Sequence, residues 1–247
     1  MLNYLSKEKP LTPEIDFSEG QLIPIDKPLE WTSFDVVNKL RNKIKYTANI
    51  PRIKVGHAGT LDPLATGLLL ICSGKYTKRI DEFQGLDKVY IGKIRLGAQT
   101  PSYDAETDEE NIKPFDHLTP QIIQENVGQF IGEIDQFPPR FSALKIKGRP
   151  AYKLAREGKE FQPESRKISI FDFKITNIQL PFIDFEVHCS KGTYIRSLAH
   201  DFGNALGVGG YLLYLRRTKI GDFNVADAWD LKDFNIAMDA IRPNTIQ

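Results

Sequence analysis

One carboxylate is set apart by its surroundings. In Gly56-His57-Ala58-Gly59-Thr60-Leu61-Asp62-Pro63-Leu64-Ala65-Thr66-Gly67-Leu68-Leu69, three glycines and a proline flank Asp62, and no base neighbours it in sequence. Rigid turns that present one acid just ahead of an apolar run suit a nucleophile or a general base at a cleft wall. Asp-Pro is equally good turn chemistry, so on generic grounds Asp62 is as readily a turn residue. Other chemistries lack their residues. Cys72-Ser73-Gly74-Lys75 glances at a phosphate loop, but Tyr76 stands where Ser or Thr is needed and the preceding glycine is missing. There is no G-x-S-x-G elbow. His57, His117, His188 and His200 show no zinc-ligand spacing, and Cys189 falls on the apolar side of an alternating run. The expectation is a mechanism without metal or cofactor.

Composition narrows the class further. The 247 residues carry 33 Lys+Arg against 32 Asp+Glu, with 41% hydrophobic and 11% aromatic content, as in an ordinary packed chain. Collagen-like and low-complexity classes are excluded. No apolar run approaches the length needed to cross a bilayer, and the polar start does not read as a signal peptide. Two cysteines, Cys72 and Cys189, make no disulfide framework, so a cytoplasmic protein with no membrane partner is expected. The net charge of +1 hides segregation. Lys39, Arg41, Lys43, Lys45, Arg52 and Lys54 run without an acid between them. Arg140, Lys145, Lys147, Arg149, Lys153, Arg156 and Lys159 face only Glu157, and they interleave with Phe141, Tyr152 and Phe161. The acids gather in Asp104, Glu106, Asp108, Glu109, Glu110 and Asp116. Cations with rings between them fit a polyphosphate with unstacked bases, although a charge run alone is more often a solvated face.

The elements that must position these residues are partly readable. Thr32 or Ser33 caps a helix through about Lys45, with Val36, Val37, Leu40 and Ile44 on one face. Residues 46–67 read as an ordered loop, and Leu68–Cys72 as a buried strand. Lys88–Leu96 is a second strand, and Thr119-Pro120 opens a helix that buries Ile123, Val127 and Phe130. Phe182–Cys189 alternates cleanly, and Ser190-Lys191-Gly192 turns into a helix from about Thr193, with Ile195, Leu198, Phe202 and Leu206 inward. The basic stretch turns helical after Pro150 and ends near Gly158. Strands and helices mix without steady alternation, which predicts an α+β fold with a largely antiparallel sheet.

The Asp62 stretch resembles the catalytic motif of the TruB family of tRNA pseudouridine synthases, which make pseudouridine at position 55 of the T loop. The resemblance continues in order along the chain. Asp26-Lys27-Pro28 with Trp31-Thr32-Ser33 is similar to the family's N-terminal signature, and Lys88-Val89-Tyr90 to its K-x-Y motif. Pro138-Pro139-Arg140-Phe141-Ser142-Ala143-Leu144-Lys145 resembles its P-P-x-[YF]-S-A-x-K segment. Gly192-Thr193-Tyr194-Ile195-Arg196-Ser197-Leu198 resembles the arginine motif, and Tyr214-Leu215-Arg216-Arg217 the closing one.

The resemblance implies a pseudouridine-synthase fold, a largely antiparallel mixed sheet flanked by helices with a central catalytic cleft. It makes Asp62 the essential carboxylate, acting at C6 or C1′ or by deprotonating C2′. Arg196 becomes the arginine that pairs with that aspartate, and Tyr90 the ring that stacks on the target uracil. Leu215 lines the pocket, His57 enters the T loop, and Tyr194 belongs to the substrate site. Lys27, Lys145, Tyr152 and Arg216 are the further RNA contacts. The implied partner is the tRNA T-stem-loop, bound by a monomer without cofactor. The implied organisation is one catalytic domain over 1–247, with 1–20 as an N-terminal extension and 136–160 as a basic mobile segment that folds over RNA. About 30 residues follow Arg217, so no full C-terminal domain of the PUA type is expected. Two departures are Arg140, where many relatives have Met, and Thr60, where Ala is often seen. A catalytically silent T-loop-binding RNA chaperone and a carboxylate hydrolase acting on small nucleosides or glycosides are the rival readings. The first lacks a reason for Asp62, Tyr90 and Arg196 to occur together, and the second lacks a marked partner acid.

Overall fold

The computed structural model describes residues 4–142, 144–146, 148–161 and 163–242. In chain order its elements begin with β1 (Leu22–Lys27), α1 (Ser33–Thr47), β2 (Val55–His57), β3 (Ala65–Ser73), α2 (Ile80–Gly85) and β4 (Lys88–Leu96). Next come α3 (Pro120–Glu125), β5 (Gly132–Gln136), β6 (Lys145–Ile146), β7 (Arg149–Pro150), α4 (Ala151–Arg156), β8 (Arg166–Gln179) and β9 (Phe182–Cys189). The chain closes with α5 (Ile195–Ala205), β10 (Gly210–Ile220), β11 (Phe223–Asn224) and α6 (Leu231–Ala240). This is a mixed α/β architecture with helices flanking sheet. No described helix is long and apolar enough to cross a membrane. The chain divides into two compact units, one of residues 1–88 and 216–247 and the other of 89–215.

In the first unit, β3 is the organising strand. It pairs antiparallel with β1 from Leu22 opposite Cys72 to Lys27 opposite Gly67, and takes β2 at Ile71–Ser73. Leu69 and Ile71 point into one hydrophobic cluster with Val36, Val37, Leu40 and Ile44 of α1 and Phe234 and Met238 of α6. Leu68, Leu70 and Cys72 point into a second cluster with Phe83, Ile220 and Phe223. Strand residues alternate faces, and both faces are covered, so the run must be apolar throughout. The N-terminal extension belongs to this core: Leu11 and Phe17 are buried in the first cluster, and Trp229 Nε1 donates to the Leu5 carbonyl at 2.9 Å.

α1 begins as its sequence dictates. Thr32 Oγ1 accepts from the Asp35 amide at 3.0 Å while Asp35 Oδ2 accepts from the Thr32 amide at 2.9 Å, a capping box contributing about 1 kcal/mol. Ser33, the other candidate cap, is free for a different task described below. Residues 46–67, expected as loop, contain β2 and the first residues of β3.

In the second unit the strand order is β10–β4–β9–β8–β5, with β8 pairing antiparallel to both β9 and β5. β4 alternates buried and half-buried residues along its length. β9 buries Ile183, Phe185, Val187 and Cys189, matching the alternation in its sequence. Phe173 of β8 meets Phe130, Phe185 and Phe202 edge-on at centroid distances of 6.3, 5.9 and 5.4 Å. These contacts seat α5 on the sheet.

Candidate active site

Asp62 lies half-buried in the turn between β2 and β3, between buried Leu61 and exposed Pro63. Several main-chain groups around it are tied down. Ser33 Oγ accepts from the Leu61 amide at 2.8 Å and donates to the Leu61 carbonyl at 3.1 Å. The Asp62 carbonyl accepts from the Ala65 amide at 3.0 Å, and the Pro63 carbonyl from the Glu30 amide at 2.8 Å. The Ala58 amide donates to the Leu70 carbonyl at 2.9 Å. A loop anchored at these points presents its carboxylate with little freedom to reorganise, which is what an acid in a catalytic role needs.

Lys27 completes the anchoring from below. Its side chain has no exposed surface, and Nζ donates to the carbonyls of Trp31 (2.6 Å), Pro28 (2.9 Å) and Pro63 (3.4 Å). Expected as an RNA contact, Lys27 is fully enclosed in this structure and spends its donors on three carbonyls, which makes it an anchor of the loop. Burial lowers its pKa to about 8, offset in part by the Asp62 charge and reinforced by that of Arg217. The unfolded chain holds this proton up to about pH 10.5. Between about pH 8 and 10.5 the unfolded state therefore binds more protons, and Lys27 raises stability with pH by up to about 1.4 kcal/mol per unit. Denaturant titrations of the wild type and Lys27→Met across pH 7.5–10.5 are expected to show this slope only in the wild type. Parallel curves would sink the assignment.

His57 and Arg216 share this neighbourhood. His57 ends β2, and its pKa is lowered by burial and by the nearby charge of Arg217, so the ring is neutral at pH 7. Arg216 forks onto Asp26, Nη1 to Oδ1 at 3.0 Å and Nη2 to Oδ2 at 2.5 Å, and Nη1 reaches Thr66 Oγ1 at 3.4 Å.

The second unit builds a cluster around the start of α5. Gln136, buried, brackets the residue that opens this helix: its Oε1 accepts from the Tyr194 amide at 2.8 Å and its Nε2 donates to the Tyr194 carbonyl at 3.0 Å. The Arg166 guanidinium lies 4.4 Å from the Tyr194 ring centroid. Arg196, in the first turn of α5, is 5% exposed. Its Nη1 donates to the Ser102 carbonyl at 3.1 Å and lies 3.5 Å from Asp104 Oδ2. Asp104 is itself fixed, with Oδ1 accepting from the Glu106 amide at 2.9 Å and its carbonyl accepting from Thr100 Oγ1 at 2.7 Å. The sequence groups Asp104 with acids that balance surface charge, and it is instead a buried partner of Arg196. Tyr90, on the buried face of β4, and Leu215, on β10, are both 8% exposed.

The cations of the basic segment at Arg140, Arg149, Lys153 and Arg156 are exposed, and two of them pair with acids. Arg149 pairs with Glu157, and Arg156 with Glu106 at 2.7 Å. Tyr152 is half-buried with the Arg156 guanidinium over its ring, and Arg140 lies over Phe161. Lys145 lies in β6, while Lys147 falls outside the described residues. Among the described residues no group of three or more His, Cys, Asp or Glu could hold a metal ion.

Comparison with solved structures defines the class. A chain of a Cbf5–Nop10–Gar1 complex superposes with a TM-score of 0.71 and 26% identity over 99% of this chain. A chain of an H/ACA RNP bound to a substrate RNA containing 2′-deoxyuridine gives 0.64 and 25% over 94%. This chain spans 64% and 59% of the lengths of those two. The fold is that of the pseudouridine synthases. The model of the TruB family pseudouridylate synthase N-terminal domain matches residues 43–195, and that of the tRNA pseudouridylate synthase B C-terminal domain matches 196–244. A tRNA pseudouridine synthase B of Flavobacterium johnsoniae is 55% identical over 91% of this chain and 98% of its own length. One of Parabacteroides distasonis is 49% identical over 84% and 88%. The chain belongs to the TruB family.

Proposed function

We propose that this chain isomerises uridine to pseudouridine at position 55 in the T loop of tRNA, with Asp62 as the essential carboxylate. The observation that carries this reading is the anchored turn around Asp62, in a chain whose relatives share its length and bear the name tRNA pseudouridine synthase B. The reaction breaks the bond between uracil N1 and ribose C1′, rotates the base, and joins C5 to C1′. The proton at C5 leaves and one is gained at N1, so nothing is oxidised and no co-reactant is consumed.

Each residue has its task in this reading. Asp62 supplies the negative charge at the reacting sugar or base, as carboxylates do in glycosyl transfer. Arg196, on the rigid mount of Gln136, Ser102 and Asp104, orients that acid. Tyr90 stacks on the uracil, Leu215 packs beside it, and His57 enters the T loop as a neutral ring. Tyr194 lines the substrate site. Flipping the uridine out costs a few kcal/mol, repaid by contacts to the surrounding RNA. Arg140, Arg149, Tyr152 and Arg156, with Lys145, supply those contacts. The surface ion pairs of Arg149 and Arg156 are worth at most about 1 kcal/mol each, so phosphates can displace them.

The test is incubation with unmodified tRNA followed by mapping of pseudouridine. The expected product is a single modified uridine at position 55. Modification at another position would overturn the substrate assignment, and tRNA binding without any product would favour the silent chaperone.

A further inference from the structure

Arg217 is among the largest fully buried side chains of the protein, at 1% exposure, and no step of the reaction calls for it. From β10 its guanidinium reaches under the Asp62 turn. Nε donates to the Leu68 carbonyl at 2.7 Å and Nη2 to the Gly59 carbonyl at 3.1 Å. Those two carbonyls sit on opposite stems of the turn, one on the β2 side of Asp62 and one on the β3 side. A single rigid plane thus spans the turn and sets the separation of its ends.

The glycines of the motif make room for this arrangement. Gly67 has φ +102°, and a Cβ there would lie 2.3 Å from the Arg217 carbonyl oxygen and 2.8 Å from its amide nitrogen. Gly59 has φ +103°, and a Cβ there would point at Nη1 from 3.6 Å. Both positions need a backbone that L side chains rarely adopt, and at Gly67 no side chain fits at all. Packing alone does not explain an arginine here, since burying a guanidinium costs several kcal/mol that an apolar side chain would avoid. What only arginine supplies is a flat fork that meets two carbonyls at a fixed spacing.

We propose that Arg217 is a positioning residue for the isomerisation: it clamps both stems of the Gly59–Gly67 turn and so fixes where the Asp62 carboxylate is held. This rests on the reading of Asp62 as the essential carboxylate. Ser33 and Lys27 hold the crown of the turn, and Arg217 holds its base. Lysine at 217 keeps the charge but offers no planar fork, so it ties one stem and lets the other drift. Misplacement of a reacting group by about 1 Å costs on the order of 100-fold in rate.

The experiment compares the full chain with Arg217→Lys and Arg217→Gln, using unmodified tRNA. Single-turnover rates, tRNA dissociation constants and melting temperatures are measured together. For Arg217→Lys the rate is expected to fall about 30- to 100-fold, with tRNA binding within about threefold of wild type. Arg217→Gln is expected to lose more, and its His57 ring, followed by NMR, to titrate at higher pH than in the wild type or the lysine variant. A lysine variant at wild-type rate would overturn the proposal, as would a loss appearing in tRNA binding instead of rate. Should both variants unfold, amide exchange in the wild type decides. Protection of residues 59–64 equal to that of residues 67–73 of β3 supports the clamp, and exchange as fast as in an open loop overturns it. A wild type that forms no pseudouridine would sink the functional reading. An active wild type with an equally active lysine variant would sink only the role of Arg217.

Discussion

Asp62→Asn is expected to abolish pseudouridine formation while tRNA still binds. Asparagine keeps the size and shape of the side chain, and the main-chain anchors of the turn are made by other residues. Leu61 remains tied to Ser33, Pro63 to Glu30 and Lys27, and Gly59 to Arg217. The melting temperature should move by no more than a few degrees. What disappears is the negative charge that the proposed function places at the reacting centre, and the sequence of the turn from Gly56 to Gly67 holds no second acid to replace it. Loss of a nucleophile or essential base lowers rates by more than about 10,000-fold. Single-turnover release of tritium from C5-labelled uridine in tRNA measures the effect directly, with filter binding as the control. A variant within tenfold of the wild-type rate would remove Asp62 from the chemistry.

That acid is legible in the sequence because its motif is local: glycines, a proline and one carboxylate within a short stretch. The residues that hold it are not. Ser33 reads as one of two possible helix caps. Only the fold shows Thr32 taking the cap and Ser33 turning to Leu61 across 28 positions of sequence. The resemblance makes Lys27 an RNA contact and gives Arg217 no task beyond its place in the closing motif, and a charge in a sequence does not announce burial. Both are buried, because each trades water for carbonyl oxygens of the same turn. Arg216 and Arg217 also conceal β10, for two adjacent arginines break the apolar alternation that exposes β9.

The acids from 104 to 116 teach the same point about charge. By sequence they balance the basic segments, and the net charge of +1 follows from the sum. In the structure they do specific jobs. Asp104 faces Arg196, Glu106 faces Arg156, and Glu109 accepts from the Tyr211 hydroxyl at 2.9 Å. Strand and helix limits are legible where period and burial agree, as in β4, β9 and α1. They are lost in β8, whose charged Lys167, Asp172 and Lys174 lie on an open face.

Arg196→Lys is expected to be nearly as damaging to catalysis as loss of the acid, although the charge is retained. The side chain is 5% exposed and one nitrogen, Nη1, is already committed to the Ser102 carbonyl and to Asp104. The planar group lets the same side chain bond that mount and still present its remaining donors elsewhere in a fixed direction. Lysine has one nitrogen for both duties. If it stays with Ser102 and Asp104, it has nothing left for the orienting role that the proposed function gives it. If it leaves them, Asp104 becomes a buried charge without its partner, at a cost of about 3–5 kcal/mol. Removal of one preorganised donor at a reacting centre costs about 100- to 1,000-fold in rate. The single-turnover rate should fall by that factor, with tRNA affinity within about threefold. Adding Asp104→Asn to the lysine variant should then cost less than Asp104→Asn does alone, because the two changes remove one shared interaction. Strictly additive losses would show that Arg196 and Asp104 act independently, and a lysine variant within fivefold of wild type would show that charge alone suffices at this position.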